Sequence, residues 1–461
     1  MKKRFMAGAL VAVLVMAMLA GCKGSNPQGS TESGEKKIEP CTITYWSGDR
    51  HDMTYIEEWV QKFNKENKYG IKVESQYLTE DVATMFKLGW EGGTACDVLN
   101  VGTTAVTEYG GTYLVNLEEY AKQDPTYWSD MECETRKYAY KNWDPKTNEV
   151  FCYYGTMRTG SRVEYNKAQF EQCGYKEIPK KLSDYIDMAI DIGKKGNGKF
   201  YGIGFPSNNP FGRICEQIAQ SSGYTYLYDF KEGKFKFDDY KPILQEFKRL
   251  FESGAVYPDE TNVDNMRAIF AEEGFTLWQN ASQEVAVFTT QFPVTKFEWG
   301  VGVLPTVDGE VHGATNSQPL KGMAINNKSE HKDACWEFIK FMQSKECLIG
   351  YCENGFEGPL TKVVKDAADM SKSGRLSDFI YEYDDVYPTA PTINLTGSTY
   401  VAVFWDAIKG LVDIDEAIAD CNKRYNEALE ADIKSGDTLR VVIKDFDPMH
   451  PSAGTVEFLD H

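Results

Sequence analysis

The period of hydrophobic and polar positions changes repeatedly along this chain, and each change marks an element. "CTITYWSGD", from residue 41, alternates β-branched and aromatic residues with polar ones; it predicts a strand ending in the turn Ser47-Gly48-Asp49. In "TYIEEWVQKFNKEN" the apolar positions Ile56, Trp59, Val60 and Phe63 recur at helical spacing. "GIKVESQYL" then reads as a strand, "EDVATMFKLGWEGG" as a helix and "DVLNVG" as another strand. This alternation predicts an α/β fold on a parallel sheet with helices on both faces. Ligands of such sheets sit beyond the carboxyl ends of the strands, so the loops after the strands are the places to look for a site.

The pattern continues in a second block. "RVEYNKAQFEQCGYKEIPKKLSDYIDMAIDIGKKG" holds two helices separated by a Gly-Tyr break and Pro179, with Ser183 placed to cap the second. "YGIGF" is a strand, and "NPFGRICEQIAQSSG" a helix closed by Gly223. "YDFKEGKFKFDD" predicts a hairpin around Glu232-Gly233. Helices follow in "YKPILQEFKRLFESG" and "NMRAIFAEEG", then the strand "FTLWQN". After a Gly-, Pro- and Asn-rich stretch comes the amphipathic helix "KDACWEFIKFMQSKE". From "YVAVFWDAIKGLV" the chain is mostly helical.

The N-terminus has a different pattern. Lys2, Lys3 and Arg4 precede a continuous apolar run over residues 5–20, shorter than the about 20 residues that span a bilayer. It reads as a secretory signal peptide, residues 1–21. "LAGC" resembles a bacterial lipobox, which predicts that Cys22 is acylated and becomes the new N-terminus. The polar stretch "KGSNPQGSTESGEKK" suits a flexible tether over residues 22–40. The expected location is the extracellular face of the cell membrane, or the periplasm in a Gram-negative envelope, with the lipid as anchor.

Composition narrows the function. The residues after the leader exceed what one core usually holds, so two or three domains are expected. A formal net charge of −19 argues against nucleic acid or an anionic polymer as partner, because phosphate binding needs a basic footprint. The cysteines form no paired C-x-x-C and the five histidines are scattered, so neither metal nor cofactor is expected. Cys347 and Cys352 are close enough in sequence to bridge; mostly free thiols are the favoured alternative. "GKKGNGK" matches most of a phosphate-binding loop, but Phe200 stands where the Mg²⁺-ligating hydroxyl belongs, and the helix precedes the strand. Neither G-x-S-x-G nor H-E-x-x-H occurs. With 69 acidic residues, a carboxylate pair suited to glycoside hydrolysis carries little information.

More informative are aromatic residues beside small polar ones at the strand ends. Sugars offer flat C–H faces and a rim of hydroxyls, which aromatic platforms and Asp, Asn, Gln, Arg or Lys can meet. A platform adds about 0.5–1.5 kcal/mol beyond area burial, and each good hydrogen bond about 1 kcal/mol. A few of each reach the ~8 kcal/mol of micromolar binding.

The stretches "YNKAQFEQCGYKEIPKKLSDYIDMA", "FAEEGFTLW", "GVGVLP…MAINNKSEHKDACWEFIKFM" and "GPLTKVV", in that order, resemble the extracellular carbohydrate-binding proteins of ABC importers, the group that includes maltose-binding protein. The resemblance runs from about residue 42 to about 430. It implies a two-lobed periplasmic-binding-protein-like fold of type II, with two α/β lobes joined by a multi-segment hinge and ligand in the cleft between them. It divides the chain into a first lobe (41–157), a hinge (158–164), a second lobe (165–316), a crossover and first-lobe return (317–357), and a third crossover with a C-terminal helical part (358–461). Carried onto this sequence, it implies ligand contacts from Trp46 and Asp49, from Gly102, Thr103 and Thr104, and from Arg158 and Thr159. In the second lobe it implies Asn208, Asn209 and Phe211, with Trp405 as the main aromatic platform and Lys409 one turn on. Two departures from the pattern matter. "QPLKGMAI" puts Gln318 and Lys321 where a Gly-Gly pair is usual, and "ASQEV" lacks the usual Trp, leaving Trp278 or Asn280 to compensate. The expected partners are a mono- or oligosaccharide, the permease subunits of an ABC importer and the membrane, with the protein a non-catalytic monomer. A peptide, polyol or glycerol-phosphate ligand, sensing for a membrane kinase, and an anchored glycoside hydrolase are the alternatives.

Overall fold

Thr42–Ser47 is an inner strand of the first sheet of this computed structural model, with Ile43, Tyr45 and Ser47 turned inward in alternation. The structure describes residues 38–461 apart from 50, 80, 103–105, 107–108, 125–142, 145 and 207 and the side chains of 208–210. Glu39–His461 forms one compact unit. Thr42–Ser47 pairs in parallel with Lys72–Tyr77 and Val98–Asn100. Helix Met53–Glu66 covers one face by burying Ile56, Val60 and Phe63, while Trp59 is half-buried against Tyr55 and Phe341. Asp81 caps helix Val82–Gly92 by accepting from the amides of Ala83 and Thr84, and Gly93 ends it at φ 74°.

Parallel pairing stops where the chain returns from elsewhere. Met323–Ile325 joins the first sheet antiparallel to Val98–Asn100. The second sheet has the order Trp299–Val303, Arg162–Asn166, Phe275–Asn280, Tyr201–Ile203, and only its last pair is parallel. The expectation of a wholly parallel sheet is therefore corrected. A local helical connection brings the next strand back parallel, but a strand arriving from the other lobe carries no such constraint.

Three short strands lie between the sheets. Thr156–Arg158 pairs antiparallel with Gln318–Leu320 on one side and with Gly358–Pro359 on the other. The chain leaves the surroundings of the first sheet through the first strand, returns through the second and departs again through the third. Arg162–Asn166, partly inside the 158–164 segment, is an inner strand of the second sheet. The result is a two-lobed α/β architecture. Helices Leu182–Gly196, Asn208–Ser221, Lys241–Glu252, Tyr400–Ile408 and Ile414–Ser435 supply the second lobe's largest core, around Tyr185, Phe205, Phe247, Phe404 and Leu429.

One local expectation changes. Helix Leu182–Gly196 starts before Ser183, whose hydroxyl bonds Asp184 inside the first turn at 3.1 Å, so Ser183 is not its cap. The cysteines among the described residues form no disulfide, Cys347 and Cys352 included, in line with the favoured reading of mostly unbridged thiols. The hairpin at Glu232-Gly233 forms as expected, pairing Tyr228–Asp229 with Lys234–Phe235. Among the described residues no helix is long and apolar enough to cross a membrane, and no group of three or more His, Cys, Asp or Glu could hold a metal ion.

Candidate functional site

Polar side chains collect where the three short strands meet the lobes. Asp49, in the loop after Thr42–Ser47, accepts from Asn100 Nδ2 at 2.7 Å and from Lys321 Nζ at 2.7 Å. Lys321 also pairs with buried Asp52, whose other contact is the Tyr351 hydroxyl at 2.7 Å. Lys321 follows the crossover strand Gln318–Leu320 at φ 58°, unusual for a residue with a side chain. That bend aims the ammonium group back into the first lobe.

Arg158 ends the first crossover strand and donates from Nη2 to Glu357 Oε1 at 3.0 Å; His51 Nε2 lies 3.6 Å from the same oxygen. Burial opposes ionisation of both Asp49 and Glu357. Lys321 and Arg158 outweigh it for Asp49, holding it below the usual carboxylate range, and Arg158 lowers Glu357 in the same way.

The second lobe answers with its own network. Asn280, at the end of strand Phe275–Asn280, accepts from Arg213 Nη2 at 2.8 Å and from Gln283 Nε2 at 2.8 Å. Its amide nitrogen Nδ2 donates to Glu284 at 2.8 Å, and its backbone N–H donates to Glu164 at 3.0 Å. Glu284 is also ion-paired with Arg267. Ser161 N–H donates to Gln217 Oε1 at 2.5 Å, which ties the start of the second lobe to helix Asn208–Ser221. Arg158 joins the two halves electrostatically: it helps to lower Asp49, and its charge opposes that of Arg213.

Beside this junction lies a cavity of about 390 Å³. Its walls come from Tyr154 near the first-lobe core, the crossover segment 316–319, Arg213, Glu216 and Gln217 on one helix, Tyr226, and the segment 386–393. The volume falls within the about 300–1,000 Å³ of small-molecule sites. Several buried polar atoms near the junction have no partner among the described residues: Arg158 Nε, Arg213 Nε, Gln283 Oε1, Ser317 Oγ and Glu357 Oε2. Buried donors and acceptors are normally satisfied; of these residues Arg213 and Ser317 line the cavity.

The sequence-derived residues divide by chemistry. Asp49, Arg158, Asn280 and Lys321 come together in the junction networks, and Gln318 lines the cavity. Thr159 is buried, its N–H 3.4 Å from Ser282 Oγ, and Gly102 N–H donates to Asn100 Oδ1 at 3.1 Å. Thr103 and Thr104 lie outside the described residues, as do the side chains of Asn208 and Asn209 and the lipidation residue Cys22. The aromatic residues are placed differently. Phe211 and Trp405 pack together in the second-lobe core with ring centroids 5.4 Å apart. Trp405 also touches Phe251 at 5.4 Å, so the indole expected as the main platform is a core side chain in this structure. Trp278 is buried against Phe275. Trp46 is half-buried beside Phe86 and Leu99, and Lys409 pairs with Glu260 away from the cavity.

Arg213, Glu216, Gln217, Ser317 and Glu357 were missed. The first three sit at helical spacings of three and four, so they share a face. That signal was present in "FGRICEQ". Glu357 directly precedes the Gly358–Pro359 strand, but nothing local to "GFEGPL" tells it from a surface glutamate.

The sequence model described as "Bacterial extracellular solute-binding protein" matches residues 47–346. Solved structures with the same fold include the GacH receptor of Streptomyces glaucescens, described unliganded and in complex with acarbose. It is 17% identical, the match covers 84% of this chain and 98% of that one, and the TM-score is 0.66. The sugar-binding protein MalE from Xanthomonas citri is 17% identical over 86% and 99% of the two chains, with a TM-score of 0.62. The galacto-N-biose-/lacto-N-biose I-binding protein of the Bifidobacterium longum ABC transporter, in complex with lacto-N-biose, is 16% identical over 86% and 98%, with a TM-score of 0.61.

Proposed function

Since the chain belongs to the bacterial extracellular solute-binding protein family, we propose that it captures a mono- or oligosaccharide between its lobes and delivers it to the permease of an ABC importer. The observation that carries this reading is the junction cavity. Its walls draw on both lobes and on the crossover segment, and they combine tyrosines with side-chain amides and charged groups. That mixture suits a ligand with apolar C–H faces and a hydroxyl rim. The solved relatives described with acarbose and lacto-N-biose favour an oligosaccharide.

The strands Thr156–Arg158, Gln318–Leu320 and Gly358–Pro359 serve as the hinge. A ligand that touches both lobes stabilises the closed arrangement, and only that differential contact drives closure. Binding requires no chemistry on the ligand, so the protein acts without catalysis. Cys22 carries the lipid that keeps the binding unit beside its permease, and residues 22–40 are the tether.

A thermal-shift screen of the purified protein against mono- and oligosaccharides tests the reading. Ligand at 100 times its Kd stabilises by about 2.7 kcal/mol and raises Tm by several degrees. A response to at least one saccharide, with the saccharide recovered unchanged, is the expected result. Silence across the saccharides with a response to peptides or polyols would overturn it, as would turnover of a bound sugar.

A further inference from the structure

Most of the cations around the junction are ion-paired. Lys321 is shared by Asp49 and Asp52, and Arg158 is paired with Glu357. Arg267 is held by Glu284 and Asp264, and buried Arg162 by both oxygens of Asp384 at 2.8 and 2.6 Å. Arg213 has no ion pair among the described residues. Its one hydrogen bond runs from Nη2 to the neutral amide oxygen of Asn280, which also accepts from Gln283 and from the Ala281 N–H. Its Nε is buried without a partner, and the residue lines the junction cavity.

The charges facing Arg213 do not make up for this. Arg158 repels it. Glu284 is committed to Arg267. Glu164 is fully buried with Oε1 unpartnered, and burial together with Glu284 favours its neutral form. Glu216, three residues on along the same helix and also on the cavity wall, attracts Arg213 without ion-pairing it and accepts the Tyr226 hydroxyl. Burial and Arg158 push the Arg213 guanidinium down from its ordinary value, but a guanidinium still does not lose its proton in a protein. What remains is a cation without an ion pair on the wall of a ligand-sized cavity, and a guanidinium is the group that takes a carboxylate through two N–H bonds.

We propose that the junction cavity selects a saccharide bearing a carboxylate, a uronic acid or a short oligosaccharide containing one, with Arg213 as its counter-ion. The inference rests on the reading of this cavity as the saccharide site and specifies which saccharides it takes. The side chains of Gln217, Asn316 and Gln318 on the cavity wall then meet the sugar's own hydroxyls. One carboxylate matches one cation that has no ion pair among the described residues. A phosphate dianion calls for a second, and Arg158 and Lys321 are already paired. A long polyuronate is disfavoured by the net charge of −19, which leaves a short ligand.

The test is calorimetric. The purified protein is titrated with galacturonate, glucuronate and their disaccharides, each beside its methyl ester and its neutral parent sugar. The esters keep the ring and the hydroxyls and remove only the charge. At least one uronate is expected to bind about tenfold or more tightly than its ester, as a charge-assisted pair predicts. Arg213→Gln is expected to bring that ratio to about one while the ester still binds, and Arg213→Lys to restore part of the preference. The wild-type acid-to-ester ratio needs no variant, so a misfolded Arg213→Gln leaves the test intact. Neutral sugars binding as well as or better than the uronates would overturn the acidic specificity and keep the saccharide reading. No binding by any uronate, ester or neutral sugar would overturn both.

Discussion

Lys321 carries more of the junction's charge balance than any other side chain. It is almost fully buried, and its ammonium faces Asp49 and Asp52 together. Breaking a buried pair by removing one partner costs about 3–5 kcal/mol, because the remaining charge is left desolvated. Lys321→Met should lose stability of that order in urea unfolding at pH 7. The loss should shrink in acid, because protonation of the carboxylates then removes the unpaired charge. In the wild type the sign is the reverse. Asp49 and Glu357 are held below their unfolded values, so their contribution is complete above about pH 4. It is lost as the pH falls through their folded values. Trp405 gives a second prediction at this scale. Packed against Phe205, Phe211 and Phe251, it should cost about 3–5 kcal/mol when cut to alanine. An exposed ligand platform would instead lose affinity with little change in the urea midpoint.

At the scale of elements, glycines set how closely helix and strand approach. A Cβ on Gly202 would stand 2.1 Å from the carbonyl oxygen of Ala189, in the helix that packs against strand Tyr201–Ile203. Gly193, on that helix, meets Ala255 in the same way at 2.8 Å. Gly202→Ala should lower stability by at least the about 1–3 kcal/mol of overpacking, read as an earlier urea midpoint. Most of the elements were legible in the sequence because their signals are local: Asp81 before an apolar-periodic run, Gly223 after one, Glu232-Gly233 between two short strands. Strand direction was not, because Arg162–Asn166 and Trp299–Val303 pair through contacts between residues more than 100 apart in sequence. The candidate site divides along the same line. Asp49, Arg158, Asn280, Gln318 and Lys321, which the resemblance implied, lie in the junction networks or on the cavity wall. Phe211, Trp278 and Trp405 do not, since an aromatic at the same position is equally suited to a core. Tertiary packing decided between the two.

For the whole molecule, the account joins a membrane address to a two-lobed binding unit. If Cys22 holds the lipid, Cys22→Ser should move the protein from the membrane fraction to the medium or periplasm without altering its Tm. Membrane retention by the variant would remove the anchor from the account. The binding unit itself makes a spatial claim: ligand lies against both lobes and the strands between them, so the hinge closes on it. Hydrogen–deuterium exchange of the purified protein, with and without saturating saccharide, tests that claim most directly. The account predicts that protection rises together in the first-lobe segments around Asp49 and Glu357, in the second-lobe segments around Arg213 and Asn280, and in the crossover segment 316–321. Protection confined to one lobe, or absent at the junction while the saccharide is bound, would contradict it.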